Sequence, residues 1–154
     1  MTREELSVTL RTIAGHQTAE TPDDLAHWVM SLTGGLPITR TVLARCTKPA
    51  HGDEPATWFY VEADATEGVA RLRCLACADM RPILDSAERW NYPQAWSCNN
   101  CGQSIAEVVF GVAEEGGLAR WMVVAARCVG CGQVAGLTDM VVPDVAADVF
   151  AASL

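Results

Sequence analysis

Apolar residues recur at helical spacing near the start of the chain. Leu6, Leu10 and Ile13 lie three or four positions apart, a period that brings side chains to one face of a helix. Thr2 can cap the start of this helix, and Gly15 can end it. The pattern therefore predicts a short amphipathic helix over the first 15 residues.

A second helix is predicted from clearer start and stop signals. Thr21 is a capping residue, and Pro22 occupies the first helical position, where its missing N–H group costs nothing. An apolar stripe extends from Leu25 to Leu32, and Gly34 ends it. We expect both helices to pack on the rest of the chain rather than to carry chemistry.

The pattern changes to short β segments after residue 40. Residues 58–62 and 69–73 flank a turn and predict a first hairpin. Residues 105–112 and 118–127 flank a second turn and predict a longer hairpin. Residues 134–142 predict one more strand. This part of the chain is therefore expected to be built from antiparallel hairpins.

The two predicted hairpins are also similar in amino-acid sequence. Residues 68–71 (GVAR) resemble residues 117–120 (GLAR). Residues 73–78 (RCLACA) resemble residues 127–132 (RCVGCG). Such self-similarity indicates an internal repeat of two copies. Residues 88–97, between the copies, contain two tryptophans and a tyrosine, so we expect this linker to pack against the copies.

The second hairpin is apolar on both faces. Residues 108–110 and 121–124 form continuous apolar runs, whereas a hairpin with one covered face would alternate. Two explanations stay open. Either the helices and the other copy cover both faces, or one face contacts a partner or a second copy of the chain.

Composition narrows the class of protein. Half of the 154 residues are apolar, and the formal net charge is -8. The acidity disfavours a general grip on phosphate backbones, which basic surfaces provide. The start of the chain has no signal-peptide pattern, and no apolar run reaches the length that spans a bilayer. We expect a soluble, cytoplasmic protein without a membrane partner.

The cysteines are the main chemical signal. The chain has seven, an odd number that excludes complete disulfide pairing within one chain. A redox dithiol usually begins a helix in a thioredoxin-like fold, whereas these pairs are flanked by predicted strands. Grouping into pairs in a reducing compartment favours metal binding. Six of the seven form Cys-x-x-Cys pairs: Cys74/Cys77, Cys98/Cys101 and Cys128/Cys131.

The second copy contains four thiols that can hold one metal ion. Two cysteines separated by two residues can direct both sulfurs at one ion from a single turn. Gly102 and Gly132 follow the two pairs, and glycine tolerates the positive φ of such a turn. The hairpin between the pairs brings the turns together. The predicted ligands are Cys98, Cys101, Cys128 and Cys131.

The first copy contains a less regular set. Its second pair has Ala78 where the other pairs have glycine, and its first pair is Cys46 and His51, five residues apart. Asp53, Glu54 or a water molecule could replace the histidine, and an open position would be the mark of catalytic zinc. The predicted ligands are Cys46, His51, Cys74 and Cys77.

A different grouping of the eight residues is also open. Cys74/Cys77 could join Cys98/Cys101 and leave Cys128/Cys131 with Cys46 and His51. We favour pairing within each copy, because each copy has its own hairpin between its own cysteine turns.

The arrangement resembles the zinc-ribbon superfamily, in which two cysteine turns flank a hairpin and a third strand usually follows. The resemblance covers residues 96–142 well and the first copy less closely. It implies zinc ligation by Cys98, Cys101, Cys128 and Cys131, but no particular activity. We expect two zinc ions per chain, with iron left open in the four-cysteine site, since iron uses the same geometry.

The predicted fold class is therefore α+β, with N-terminal helices followed by two tandem zinc-ribbon modules of short antiparallel β hairpins. Pro143 is expected to open a short C-terminal helix. The predicted divisions are a helical segment at 1–38, module one at 39–87, an aromatic linker at 88–97, module two at 98–142 and a C-terminal helix or tail at 143–154.

Three functions follow as hypotheses. The first is a non-catalytic protein-interaction or adaptor module, because no acid–base or nucleophile set accompanies the metal sites. The second is a nucleic-acid-binding or transcription-associated ribbon, with Trp58, Phe59 or Tyr60 stacking on bases; the same cations could instead compensate the anionic metal sites. The third is a metalloenzyme with an open first site. The oligomeric state stays open. The arginines of the second hypothesis are Arg40, Arg45, Arg71 and Arg73.

Overall fold

The computed structural model describes residues 11–13, 16–32, 36–90 and 94–154. Ten strands and two α-helices are assigned within these ranges, together with one 3₁₀ turn at Pro49–His51. In chain order they are β1 (Arg11–Ile13), β2 (His16–Thr18), α1 (Pro22–Met30), β3 (Ile38–Leu43), β4 (Phe59–Asp64), β5 (Val69–Cys74), β6 (Met80–Pro82), β7 (Gln94–Ala95), β8 (Ile105–Glu115), β9 (Leu118–Cys128), β10 (Val134–Ala146) and α2 (Ala147–Ser153).

The predicted fold class was wrong. The largest feature of the described chain is one eight-stranded antiparallel sheet in the order β10-β9-β8-β4-β5-β6, with β3 also paired to β8 and β7 to β4. The two predicted hairpins do form, but β4 pairs directly with β8 through Phe59↔Ala106 and Tyr60↔Ile105. The hairpins therefore share one sheet instead of forming two tandem modules behind N-terminal helices.

The first predicted helix is contradicted where the structure describes it. Residues 11–13 and 16–18 form a small antiparallel hairpin, with Arg11 opposite Thr18. Thr12, Ile13 and Thr18 are β-branched and favour extended backbone, so their local preference prevails over the helical spacing. The rest of that prediction, residues 2–10 and Gly15, lies outside the described residues.

The second predicted helix is present as α1. Thr21 caps it, with its side chain accepting a hydrogen bond from the Asp24 backbone at 3.2 Å. The Asp24 side chain in turn accepts from the Thr21 N–H at 3.2 Å, which completes a reciprocal capping box. The helix therefore begins at Pro22, as the sequence indicates.

The long hairpin β8–β9 is covered on both faces. On one face, Phe110 and Val124 belong to a core that also contains Leu72 and Phe150. On the other face, Val109 and its neighbours pack with residues of α1. Strand β10 also contacts β4 and β5, which are not its neighbours in the sheet. These contacts show that the sheet is curved. The apolar runs of the sequence therefore mark a doubly covered hairpin.

Gly111 allows α1 to approach β8. A Cβ atom at this position would overlap Val29 Cγ1 and lie 2.9 Å from Val123 Cγ1. A side chain at this position would force the two valine side chains, or the helix itself, to move. The close packing of helix on strand therefore depends on this glycine.

The C-terminal helix begins later than predicted. Strand β10 continues to Ala146, and α2 starts at Ala147 instead of Pro143. Pro143 lies in an irregular stretch of the β10–β9 pairing between Val141 and Val145. Strand β10 is an edge strand, where a proline removes no required hydrogen bond. Among the described residues, neither helix has the length and apolar character needed to cross a membrane.

Candidate metal centres

Four thiols meet where the β8–β9 hairpin ends. Cys98 Sγ lies 3.5 Å from Cys131 Sγ, and Cys101 Sγ lies 3.5 Å from Cys128 Sγ. All four sulfur atoms fall within 4.8 Å of one another, and none forms a disulfide. A tetrahedral ion with bonds of ~2.3 Å requires ligand sulfurs about 3.8 Å apart. The cluster therefore has the dimensions of a four-cysteine metal site.

The three Cys-x-x-Cys turns share one backbone conformation. In each, the N–H of the residue after the second cysteine donates to the carbonyl of the first cysteine, at 2.8 to 2.9 Å. The N–H of the first cysteine donates to a carbonyl five residues later, at 2.8 to 3.0 Å. These two bonds close a tight loop that directs both sulfurs to one side.

The residue after each pair has positive φ. Gly102 and Gly132 have φ of 78° and 81°, and Ala78 has φ of 61°. An L-residue with a Cβ atom pays about 1–2 kcal/mol in this region. The Cys74/Cys77 turn therefore keeps the conformation of the other two turns at a local cost.

The first candidate site is completed by a loop between β3 and β4. Strand β3 ends at Leu43 and β4 begins at Phe59, and Cys46 forms an isolated bridge with Ala56 inside this loop. Between them, the 3₁₀ turn folds His51 back towards Cys46, with Gly52 at φ of 64°. Sequence spacing alone does not show this turn.

The His51 side chain lies among the three thiols. Its Nε2 atom is 3.3 Å from Cys46 Sγ and 3.6 Å from Cys74 Sγ, and Cys46 Sγ is 3.7 Å from Cys77 Sγ. With bonds of ~2.3 Å to sulfur and ~2.05 Å to nitrogen, a tetrahedron places nitrogen and sulfur about 3.6 Å apart. The donors fit one ion, with histidine rather than Asp53 or Glu54 in the fourth place.

The structure thus brings the eight residues together in the two groups predicted within each copy. These groups are two candidate metal sites. The donor sets, four thiols in one and three thiols with an imidazole in the other, are those that zinc prefers in structural sites. The identity of the metal stays a prediction.

Both candidate sites lie at the same end of the sheet. Cys74 is opposite Phe59, Phe59 is opposite Ala106, and Ala106 is opposite Cys128. The two cysteines therefore lie in one cross-strand row with three strand spacings between them. At ~4.8 Å per spacing they are about 14 Å apart, so the sites are neighbours but separate.

Burial and hydrogen bonding shift the pKa values of two thiols of the second site in opposite directions. Burial raises the pKa of Cys128 to about 12. Burial also acts to raise the pKa of Cys131, but hydrogen bonds from the Asn100 side chain and the Gln133 backbone prevail and lower it to about 7. A bound dication makes all its thiol ligands anionic, so metal binding there releases protons.

The pKa values of two thiols of the first site are also shifted in opposite directions. Burial raises the pKa of Cys46. For Cys74, burial acts upward, but backbone hydrogen bonds from Cys77 and Ala76 prevail and lower the pKa.

Residues around the second site were missed by the sequence analysis. Gln133 is buried, and its Oε1 accepts from Cys98 Sγ at 3.6 Å. Arg127 forms an ion pair of 2.6 Å with Glu107 and donates to the Ala19 carbonyl at 2.6 Å. In the sequence, Arg127 directly precedes Cys128, and Gln133 follows Cys131 by two positions. Together they join the N-terminal segment to the site.

Two of the four arginines of the nucleic-acid hypothesis form ion pairs with carboxylates. Arg40 pairs with Glu114 at 3.5 Å, and Arg71 pairs with Glu62 at 2.9 Å and lies over the Trp90 ring at 4.3 Å. Arg73 lies over the Tyr60 ring at 5.6 Å. These contacts favour a structural role for Arg40 and Arg71.

Comparisons of this chain with protein-family models, with curated proteins and with solved structures found no match. The two Cys/His clusters therefore define the class of site, and the zinc-ribbon resemblance stays a prediction.

Proposed function

We propose that the protein binds two structural zinc ions and acts as a non-catalytic, zinc-stabilised protein-interaction module related to the zinc ribbons. The observation that carries this proposal is the pair of separate clusters, each with four side-chain donors at tetrahedral spacing. Catalytic zinc keeps one position for water, whereas structural zinc is closed by four protein ligands. His51 in the fourth place supports a closed first site.

Zinc is favoured over other ions by the donor chemistry. Thiolate donors disfavour Mg²⁺ and Ca²⁺, which prefer oxygen. Iron is compatible with four cysteines, but a site with three cysteines and one histidine favours zinc. Each site also closes a loop of the sheet, so metal binding energy contributes to folding.

Metal analysis of the purified chain tests this step. We expect two zinc ions per chain, X-ray absorption spectra with sulfur and nitrogen ligands at ~2.3 and ~2.0–2.1 Å, and loss of folded structure after complete chelation. Cys98→Ser and Cys74→Ser should each impair one site and leave the other loaded. A metal-free chain that stays folded would contradict a structural role for the metal.

The outer face of β4–β6 is the proposed interaction surface. Trp58 is 49% exposed, Tyr60 38% and Met80 37%. Tyr60 lies opposite Arg73, which in turn lies opposite Met80. Tryptophan, tyrosine, methionine and arginine are the residues enriched at protein interfaces. We call Trp58, Tyr60, Arg73 and Met80 the aromatic face.

A protein segment fits this face better than a nucleic acid. A cavity of about 360 Å³ with mainly apolar walls lies beside Trp58 and Leu75 and can take an apolar side chain. Arg73 has no ion pair within the described parts of the chain, so it can meet one carboxylate. The proposed partner therefore presents an apolar anchor next to an acidic residue.

Site-specific photo-crosslinking tests the aromatic face. A crosslinking residue at position 60 should capture a defined protein in the producing cells, and Trp58→Ala should abolish the capture. The same crosslinker at the exposed Val141, which is 83% exposed, is the control. Equal capture from both positions would contradict a specific interaction face.

A nucleic-acid-binding role is the second candidate, because Trp58 and Tyr60 are exposed beside Arg73 and could stack on bases. The net charge of -8 and the ion pairs of Arg40 and Arg71 count against it. Binding of single-stranded RNA or DNA that weakens with salt and is lost in a variant lacking Arg71 and Arg73 would favour it. No binding at low salt would exclude it.

A further inference from the structure

Residues 16–32 contain β2 and α1, and we call them the N-terminal segment. Within α1, the side chains of Leu25 and Val29 are fully buried. They belong to the apolar cluster that also contains Val109 and Val123 of the β8–β9 hairpin. A helix of nine residues is too short to be stable by itself in water. Helix α1 therefore depends on its contact with the sheet.

The N-terminal segment is also hydrogen-bonded to residues 127–133, a turn that provides two ligands of the second candidate site. The Ala19 N–H group donates to the Gly132 carbonyl at 2.7 Å. The Ala19 carbonyl accepts from Arg127 Nε at 2.6 Å. The start of α1 is therefore fastened to this turn. Two further contacts join the same parts: an Arg127 Nη2 bond of 2.7 Å to the Glu20 carbonyl and a β-bridge between Thr18 and Gln133.

The turn at residues 127–133 needs a constraint to keep its conformation. It contains Gly130 and Gly132, and glycine loses more backbone freedom on ordering than any other residue. Two backbone bonds close it, from the Cys128 N–H to the Gln133 carbonyl at 2.9 Å and from the Gly132 N–H to the Cys128 carbonyl at 2.8 Å. An ion bound to both sulfurs of the turn supplies a much stronger constraint, because metal binding energy is available for folding.

We propose that the metal ion of the second candidate site controls the docking of the N-terminal segment. With the ion bound, residues 127–133 keep the conformation that holds the start of α1. With the site empty, the turn loses that conformation, α1 separates from the sheet and the apolar face around Val109 and Val123 becomes exposed. This inference rests on the proposed function, because it requires a metal ion at the second site.

The first candidate site has no such link to the N-terminal segment. Within the described ranges, none of its four ligands forms a hydrogen bond with residues 16–32. The second site is also the more open of the two. Of the cysteines, which all lie in the described ranges, Cys101 is exposed and the others are buried or half-buried. Loss of metal from the second site should therefore release the N-terminal segment, whereas loss from the first should not.

Amide hydrogen exchange in two double variants tests this difference. Cys98→Ser with Cys101→Ser empties the second site without changing residues 127–133. Cys74→Ser with Cys77→Ser removes the matching pair from the first site. Losing a single hydrogen bond shifts an equilibrium by up to about tenfold, and several hold α1. The α1 amides should therefore exchange at least about tenfold faster in the first variant.

Two readouts separate the possible results. The amides of Phe110 and Val124, paired in the β8–β9 hairpin, report general destabilisation of the sheet. An increase at α1 that is no larger than the increase at these two amides would overturn the coupling. So would faster α1 exchange in both double variants alike. The zinc content of the unchanged chain tests the underlying proposal separately, since a second site that holds no metal would overturn both.

Thermodynamic linkage provides a test that leaves all eight ligands in place. If the metal favours docking, docking must favour metal binding by the same factor. Val29→Ala weakens the packing of α1 near Val123, which lies five residues along β9 from Cys128, about 17 Å away. A chelator should then remove zinc from the second site at a several-fold lower concentration and from the first site at an unchanged one.

A matched control lies on the same helix. Met30 is 47% exposed, so Met30→Ala should leave the release of zinc unchanged. Amide signals of Gln103 and Ala78, at the cysteine turns of the second and first sites, follow the two sites separately during the titration. Equal zinc release from the second site in the Val29 and Met30 variants would refute the control of docking by the metal.

Discussion

The glycine after each cysteine turn offers a test of how the second candidate site is held. Gly102→Ala and Gly132→Ala place a Cβ atom on residues with nearly the same φ, 78° and 81°. At Gly102 the new atom meets nothing within 4 Å, whereas at Gly132 it would lie 2.7 Å from the Ala19 carbonyl oxygen. The two substitutions therefore share the backbone cost and differ in one contact.

The expected magnitudes follow from that difference. The shared cost of the left-handed conformation is about 1–2 kcal/mol. Gly132→Ala must also displace a backbone segment that is fixed by the Ala19 N–H bond to the Gly132 carbonyl and by the Arg127 bond to the Ala19 carbonyl. Such overpacking costs a further ~1–3 kcal/mol. We expect Gly132→Ala to lower the free energy of unfolding by about 2–5 kcal/mol, the sum of both terms.

The third turn supplies a substitution of opposite sign. Ala78→Gly relieves the positive φ of Ala78, while glycine adds entropy to the unfolded chain. The balance should stabilise the protein by about 0.5–1 kcal/mol.

Urea unfolding at a fixed free zinc concentration measures all three variants, because bound metal adds to apparent stability. Tryptophan fluorescence gives the midpoint, and zinc content verifies that both sites stay loaded. Equal losses in Gly102→Ala and Gly132→Ala would refute the packing of the N-terminal segment on the Cys128 turn. Destabilisation by Ala78→Gly would refute the shared turn conformation.

Further tests address the sheet and the first site. Gly111→Ala should lower the free energy of unfolding by about 1–3 kcal/mol through overpacking against Val29. The control Gly136→Ala adds a Cβ atom that meets no atom within 4 Å, so it should lower the free energy of unfolding much less. Equal effects of the two variants in urea unfolding would contradict the close contact of α1 with β8. His51→Ala should reduce tightly bound zinc from about two ions to one, while Asp53→Ala should leave it unchanged; loss of zinc only in the Asp53 variant would show that the carboxylate is the ligand.

The candidate sites could be predicted from the sequence because their information is local. Three cysteine pairs are each contained in a turn of a few residues, and the turn conformation follows from the residue types there. His51 was reachable for the same reason, as it lies five residues from Cys46. Gln133 and Arg127 act across the chain on Cys98 and Ala19, and no local pattern shows those contacts.

The architecture could not be predicted in the same way because it depends on pairing between distant strands. Each hairpin can be predicted from the sequence. The two hairpins are joined into one sheet by the short pairing of Phe59 and Tyr60 with the start of β8, which no local pattern indicates. The apolar runs of β8 and β9 indicated two covered faces and left open what covers them. Helix α1 covers one face of the β8–β9 hairpin, and the β4–β5 hairpin covers the opposite face. The two hairpins therefore share one hydrophobic core. Loss of either candidate site should therefore destabilise the whole sheet, a coupling that independent tandem modules would lack.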